Sequence, residues 1–450
     1  MSLRKAIELY HALLTEELAE ESQAQLEDQL RRRGLYFGER PLCSVLRPRF
    51  LAAGQYRFLQ RRCVPLLSAF RRAYEAAMAD PAFRSQFRLT DWEESLIGVD
   101  PGFAEPSPLA RLDAFFVGTR GGLRFTEYNA ETPAAAAYND VLAEVFYGLP
   151  VMREFLRHFE VRAQPARHNV LHALVDSYRR WPGRRERPQI AILDWRDVPT
   201  YSEFLISAEY FRSQGVPCVI ADPREVEYRD GRLFAEGVAI DLIYKRVLIS
   251  ELIERAGMDH AVVRAVREGA VCMVNSFRCK ILHKKASLAV LSDERNAGRF
   301  SSAELEVIAA HVPWTRLVEA RLTTYAGEEI DLIPFIVANR ERLVLKPNDE
   351  YGGRGIVLGW ETEAGGWEEA VERALREPYV VQERIPLPIE TYPLMVDGRL
   401  RFEERILDTA PFVFHGSYMD GCLTRLASES LVNVTAGGGS SLATFVVEPR

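Results

Sequence analysis

The chain has 450 residues, 47% of them hydrophobic and 27% charged, with a formal net charge of −7. That length exceeds one ordinary core and predicts two or three closely packed units. The acidic balance excludes a nucleic-acid partner held mainly by phosphate attraction, and no stretch approaches the roughly 20 apolar residues of a membrane span.

Residues 1–110 are predicted to be a largely helical N-terminal portion, with amphipathic runs at 3–32 and 55–80 and a proline-rich stretch at 101–108. The first run sets Leu3, Ile7, Tyr10, Leu14 and Leu18 on one face. It carries acids where a signal peptide needs its apolar run, so the expected location is cytoplasmic. Six scattered cysteines without a C-x-x-C pair predict reduced, buried thiols in that compartment.

Residues 111–133 carry the most chemistry. Arg111, Asp113 and Phe115 alternate with Leu112 and Ala114, the period of a strand. Gly118, Gly121 and Gly122 supply a turn, and a return strand begins at Leu123 and Phe125. Glu127 and Asn129 are spaced two apart and so share a face. Oxygen ligands from Asp113, Glu127 and Asn129 would converge from the paired strands. They suit Mg2+, which takes a few protein carboxylates and fills its shell from phosphate and water. Residues 134–146 read as a helix, and 151–180 continue helically.

At residue 187 the pattern changes to strand (PQIAILDW), helix (SEFLISAEYFRSQG, closed by Gly215) and strand (VPCVIADP), which implies a right-handed parallel crossover. A hairpin at Asp230-Gly231 and a strand in AIDLIYKRV follow, and no G-x-G-x-x-G supports dinucleotide binding. From 271 onward short strands and helices alternate. Only six of the 57 basic residues are lysines (Lys5, Lys245, Lys280, Lys284, Lys285 and Lys346), which makes each a candidate ammonium for a phosphate contact that arginine does not replace. Lys346 ends an apolar strand and is followed by Pro347, Gly352, Gly353 and Gly355, a loop whose backbone can fold closely over phosphates.

These motifs resemble the ATP-grasp ligases. The hairpin is similar to their R-x-D, turn, E-x-N-x-x-P pattern, with Pro133 displaced by one residue, and Lys346 with its glycines resembles their phosphate loop. Because the hairpin precedes the lysines, the order resembles the circularly permuted, glutathionylspermidine-synthase-like branch. The resemblance implies an α/β fold: a permuted ATP-grasp metal hairpin and following helices (111–186), a Rossmann-like pre-ATP-grasp domain (187–270) and a nucleotide-binding region (271–450). It implies ATP and Mg2+ as cofactors, with Asp113, Glu127 and Asn129 as metal ligands. Lys346 and Lys285 (or Lys284) would hold the phosphates. Gln382 and Glu383 would meet the adenine in a hinge strand, and Glu390 the ribose. Arg111 would stabilise the charge that develops in the reaction. Arg246 would face a substrate carboxylate or pair with an acid, and Arg425 and Asn433 would line the site. The implied reaction joins a small-molecule or peptide carboxylate to an amine through an acylphosphate. A small-molecule kinase and a non-catalytic nucleotide-binding relative are the alternatives.

Overall fold

The computed structural model describes residues 3–120, 122–182, 187–428 and 439–450. Gly121, Asn433, Gly437 and Gly438 lie outside them. The centre is a nine-stranded sheet. Its path runs through Ile389–Val396, Arg399–Leu407, Tyr418–Ala427, Ala410–Phe414, Leu109–Phe116 and Leu123–Asn129. Ser440–Pro449 branches from it, antiparallel to Tyr418–Ala427 and Phe159–Ala163 and parallel to Arg49–Ala52. The last strand thus ties in residues from the first 60.

The hairpin's two faces explain its sequence. Leu112, Ala114, Phe116, Leu123 and Phe125 are all buried, in one core with the long helix Ala53–Ala79. Strict alternation after Leu123 and Phe125 would send Glu127 into that core as well. Instead the register shifts: Ala114 faces Phe125 while Asp113 faces Glu127, so Thr126 is an extra residue. This bulge flips the alternation. Tyr128 turns inward and stacks on Phe70 with centroids 4.4 Å apart, while Glu127 and Asn129 join Arg111 and Asp113 on the other face.

Two expected helical stretches differ from their reading. The run 3–32 is two helices, Leu3–Leu13 and Glu16–Arg32, because Thr15 caps the second. Its hydroxyl accepts from the Leu18 N–H at 3.2 Å, with Glu16 and Glu17 in the first turn, where acids favour a new helix start. In 151–180 the strand Phe159–Ala163 separates the helices Pro150–Phe155 and Arg167–Arg180. Phe159 and Val161 are buried and Glu160 and Arg162 exposed, a period-2 pattern inside a stretch read as helical.

The strands Cys272–Val274, Leu242–Lys245, Ile190–Leu193 and Cys218–Ala221 form a wholly parallel sheet in that order, with the helix Tyr201–Ser213 making the expected crossover. A separate antiparallel sheet of Thr315–Leu317, Tyr379–Glu383, Leu343–Pro347 and Val357–Leu358 is backed by the helices Leu332–Ala338 and Ala364–Arg376. Trp367 anchors this small core: it is fully buried and its indole N–H donates to the Ile336 carbonyl at 3.0 Å. Trp367→Ala is expected to destabilise this layer by about 3–5 kcal/mol through the cavity it leaves. A matching loss in urea denaturation checks it.

All six cysteines are buried and unpaired with one another. Among the described residues no helix is long and apolar enough to cross a membrane.

Candidate active site

Asp113 is 4% exposed and carries more partners than any other acid on the hairpin face. Arg111 grips it with two bonds of 2.7 and 3.0 Å, Asn129 donates to it at 2.9 Å, and Arg425 donates at 2.7 Å. Burial alone would raise this carboxyl, but the two guanidinium charges prevail and hold it at about 2. Arg425 is held in turn by Asp408, and Arg111 spends its remaining Nη1 on the Ala134 carbonyl at 3.0 Å.

Glu127 faces the lysines. Its Oε1 lies 3.1 Å from Lys285 Nζ. Burial would raise the Glu127 carboxyl, yet Lys285, Lys346 and His283 outweigh burial and the repulsion from Asp113, so it stays below the usual range. Lys346 closes the group from the antiparallel sheet, donating to Gln382 Oε1 at 2.7 Å. Burial drives its pKa down to about 8, against the opposing pull of Glu127.

The paired lysines have different partners. Lys284 is buried and spent on Glu93 at 2.7 Å and Asp349 at 2.8 Å. Lys285 points to Glu127 and also donates to the Glu350 carbonyl. Asn348 fixes the backbone at Lys285 and Ala286: its carbonyl accepts from Lys285 N, and its side chain accepts from Ala286 N, each at 2.9 Å. The glycine loop follows directly. Gly352, Gly353 and Gly355 have φ of 65°, 80° and 68°, the left-handed region that favours glycine. A Cβ on Gly355 would also meet Pro347 Cγ at 2.7 Å. The loop is tethered by Tyr351, whose hydroxyl donates to Glu251 at 2.9 Å.

Other residues expected in the site have different partners. Gln382 is buried, and its side-chain amide is spent on Lys346 and on Thr315 Oγ1 at 3.0 Å. Glu383 accepts from the Trp314 N–H at 2.9 Å. Glu390, expected at a ribose, is instead ion-paired to the buried Arg47 and Arg49, because the strand Ile389–Val396 runs beside the N-terminal segment that carries them. Arg246 pairs with an acid, placing two 3.3 Å bonds on Glu203, and it also lines a cavity.

A buried ionic network beneath the hairpin escaped the sequence reading. Lys280 Nζ lies 2.7 Å from Asp349 and 3.1 Å from Glu131, and Lys245 reaches Glu131 at 3.3 Å. Glu131, His283 and Asp349 are spaced to hold a metal. The Lys280 ammonium already sits between two of them, however, so the cluster is satisfied as an ion-pair network. Its sequence signal was Glu131, which continues the two-residue spacing of Glu127 and Asn129.

The cleft itself is a cavity of about 550 Å³. The hairpin face (Arg111, Asp113, Glu127, Asn129) lines one side, the parallel sheet's loops (Asp194, Arg246) and the helix Ile249–Ala256 (Glu251) another, and Tyr351, Gly352 and Arg354 the rim. The hairpin residues fit Mg2+: with Nδ2 turned to Asp113, the Asn129 amide oxygen is left for a cation, and Glu127 keeps one carboxylate oxygen beyond its lysine. Asp113 would contribute after yielding one guanidinium contact.

A solved glutathione synthetase-like effector from Globodera pallida, in its apoform, superposes with a TM-score of 0.60 over 97% of this chain and 99% of its own, at 12% identity. The two share a fold. No family model matches the chain. A Frankia alni protein named "Putative glutamate--cysteine ligase 2-3" is 29% identical over 290 residues, 58% of this chain. An uncharacterized Mycobacterium tuberculosis protein is 24% identical over 354 residues, 74% of this chain. The chain spans 30% of the Frankia protein's length and 59% of the mycobacterial one's. The fold shared with that effector thus extends over nearly the whole chain.

Proposed function

We propose that the chain is an ATP- and Mg2+-dependent carboxylate–amine ligase of the circularly permuted ATP-grasp type. In this reading 187–270 forms the Rossmann-like unit and 271–450 the nucleotide-binding region. One observation carries it: Asp113, Glu127 and Asn129 from the hairpin share a charge cluster with Lys285 and Lys346, which arrive from distant segments. A set of three oxygen ligands facing two ammonium groups is what a polyphosphate with its metal requires. The order of hairpin before lysines supports the permuted assignment, and the Frankia relative's name supports amide formation.

Bound Mg2+ would be held by Asp113, Glu127 and Asn129, and would supply neutralisation and alignment of the phosphates. Lys285 and Lys346 would hold phosphate oxygens, releasing Glu127 to the metal. Arg111 and Arg425 would keep Asp113 ionised and add positive potential where charge grows on the reacting carboxylate. The loop at Gly352–Gly355 would shield the acylphosphate from water.

The test is ADP release with L-glutamate as the first carboxylate, as that name suggests, followed by other amino acids and peptides. Amine is either supplied or replaced by hydroxylamine. A hydroxamate formed in step with ADP is the expected result. ADP release with a hydroxyl acceptor and no amine would establish the kinase instead. Nucleotide binding without any turnover would establish the non-catalytic relative.

A further inference from the structure

The cavity wall opposite the hairpin holds polar groups that the phosphate chemistry does not use. Asp194 follows Ile190–Leu193 and Arg246 follows Leu242–Lys245, so they stand at the carboxyl ends of neighbouring parallel strands. Loops diverge at such ends and leave a crevice suited to small ligands. The two are locked in place, since Arg246 N donates to the Leu193 carbonyl at 2.9 Å.

Each keeps one polar side-chain atom without a hydrogen bond among the described residues. Arg246 is 6% exposed, and its Nε is buried without a partner among the described residues, although both Nη atoms reach Glu203. The Phe204 and Tyr244 rings lie 5.0 and 5.6 Å from its guanidinium carbon and restrict its orientation. Asp194 is 7% exposed, and its Oδ1 accepts from Trp195 N at 2.8 Å. Burial, only partly offset by Arg246, lifts its carboxyl to about 6. A cation placed beside it would reverse that cost. A buried donor without an acceptor and a buried carboxylate only partly compensated are each unfavourable. A single ligand with an anionic and a cationic group on neighbouring atoms would satisfy both.

We propose that this wall binds one substrate as a free α-amino acid, with its α-ammonium on Asp194 and its α-carboxylate on the Nε edge of Arg246. The inference rests on the ligase reading of the same cleft, and it selects an amino acid over a polyamine, which has no carboxylate to offer Arg246. Cleft charge agrees with a zwitterion: five arginines (111, 246, 255, 354 and 425) and five acids (113, 127, 194, 197 and 251) line the cavity.

The experiment is calorimetric titration of the full chain with each of the twenty L-amino acids. The decarboxylated amine and the N-acetyl derivative of every amino acid that binds are then titrated. Mg2+ with a non-hydrolysable ATP analogue is titrated in parallel. The expected result is binding of at least one amino acid, with both truncated derivatives weakened at least about 10-fold. Asp194→Asn and Arg246→Gln are expected to lose the amino acid while binding the nucleotide analogue as wild type does. Arg246 is buried, so Asp194→Asn carries the test where Arg246→Gln does not fold. Nucleotide binding with no amino-acid binding, equal binding of the truncated derivatives, or wild-type amino-acid affinity in Asp194→Asn overturns the proposal and leaves the ligase reading standing. Amino-acid binding that needs Asp194, without any nucleotide binding, supports this subsite and removes the ligase reading.

Discussion

Glu127→Gln abolishes ATP turnover and leaves the protein folded. The substitution keeps the side chain's shape but removes the charge that faces Lys285 and that the Thr126 bulge turns onto the Asp113 face. The amide holds Mg2+ more weakly than the carboxylate it replaces, and it leaves Lys285 and Lys346 repelling each other across the cluster. The loss in turnover is expected to be at least about 100-fold, or ~2.7 kcal/mol at the barrier. The Glu127 side chain is 27% exposed to the cleft, so the lost ion pair costs stability only about 1 kcal/mol. ADP release and thermal melting separate the two effects. Wild-type turnover in a folded Glu127→Gln protein would remove Glu127 from the site.

Lys346→Met is expected to lower kcat/KM for ATP by roughly 10²-fold or more while keeping the sheet intact, because methionine retains the length but not the ammonium. Wild type should show the same dependence as a function of pH. With the Lys346 pKa near 8, the charge is present below pH 8 and lost above it, so ATP affinity should fall as pH rises past 8. Stability runs the other way. The unfolded chain keeps this proton up to the ordinary value of 10.5, so between pH 8 and 10.5 unfolding takes up a proton. Rising pH across that window therefore removes the penalty of burying the ammonium. ATP titrations at pH 7 and pH 9 check the affinity; equal affinities at both would place Lys346 away from the phosphates.

The hairpin was legible because its chemistry is local. Arg111, Asp113, Glu127 and Asn129 stand at strand spacings on one supersecondary unit, and the glycines after Lys346 sit where positive φ is needed. The bulge was not legible, since Leu123, Phe125 and Glu127 have a single parity and nothing nearby marks Thr126 as the extra residue. The Lys280–Glu131–Asp349 network was hidden for another reason. Lys280 has no acid close to it in sequence, because Glu131 and Asp349 arrive from elsewhere in the chain. The strand Phe159–Ala163 was lost between two helices because its strand partner among the described residues is the distant Ser440–Pro449. In each case the deciding contact is distant in sequence, which a local pattern cannot encode.

That same strand has a consequence for how the protein is made. Arg49–Ala52 emerges from the ribosome early and Ser440–Pro449 hundreds of residues later, yet they are hydrogen-bonded neighbours. The early segment must wait, with apolar Phe50 and Leu51 unsheltered, while the rest of the chain is translated. Pairings this distant slow folding and expose partly built molecules to association. Recombinant yield should therefore respond to slower translation, lower temperature and chaperone supply.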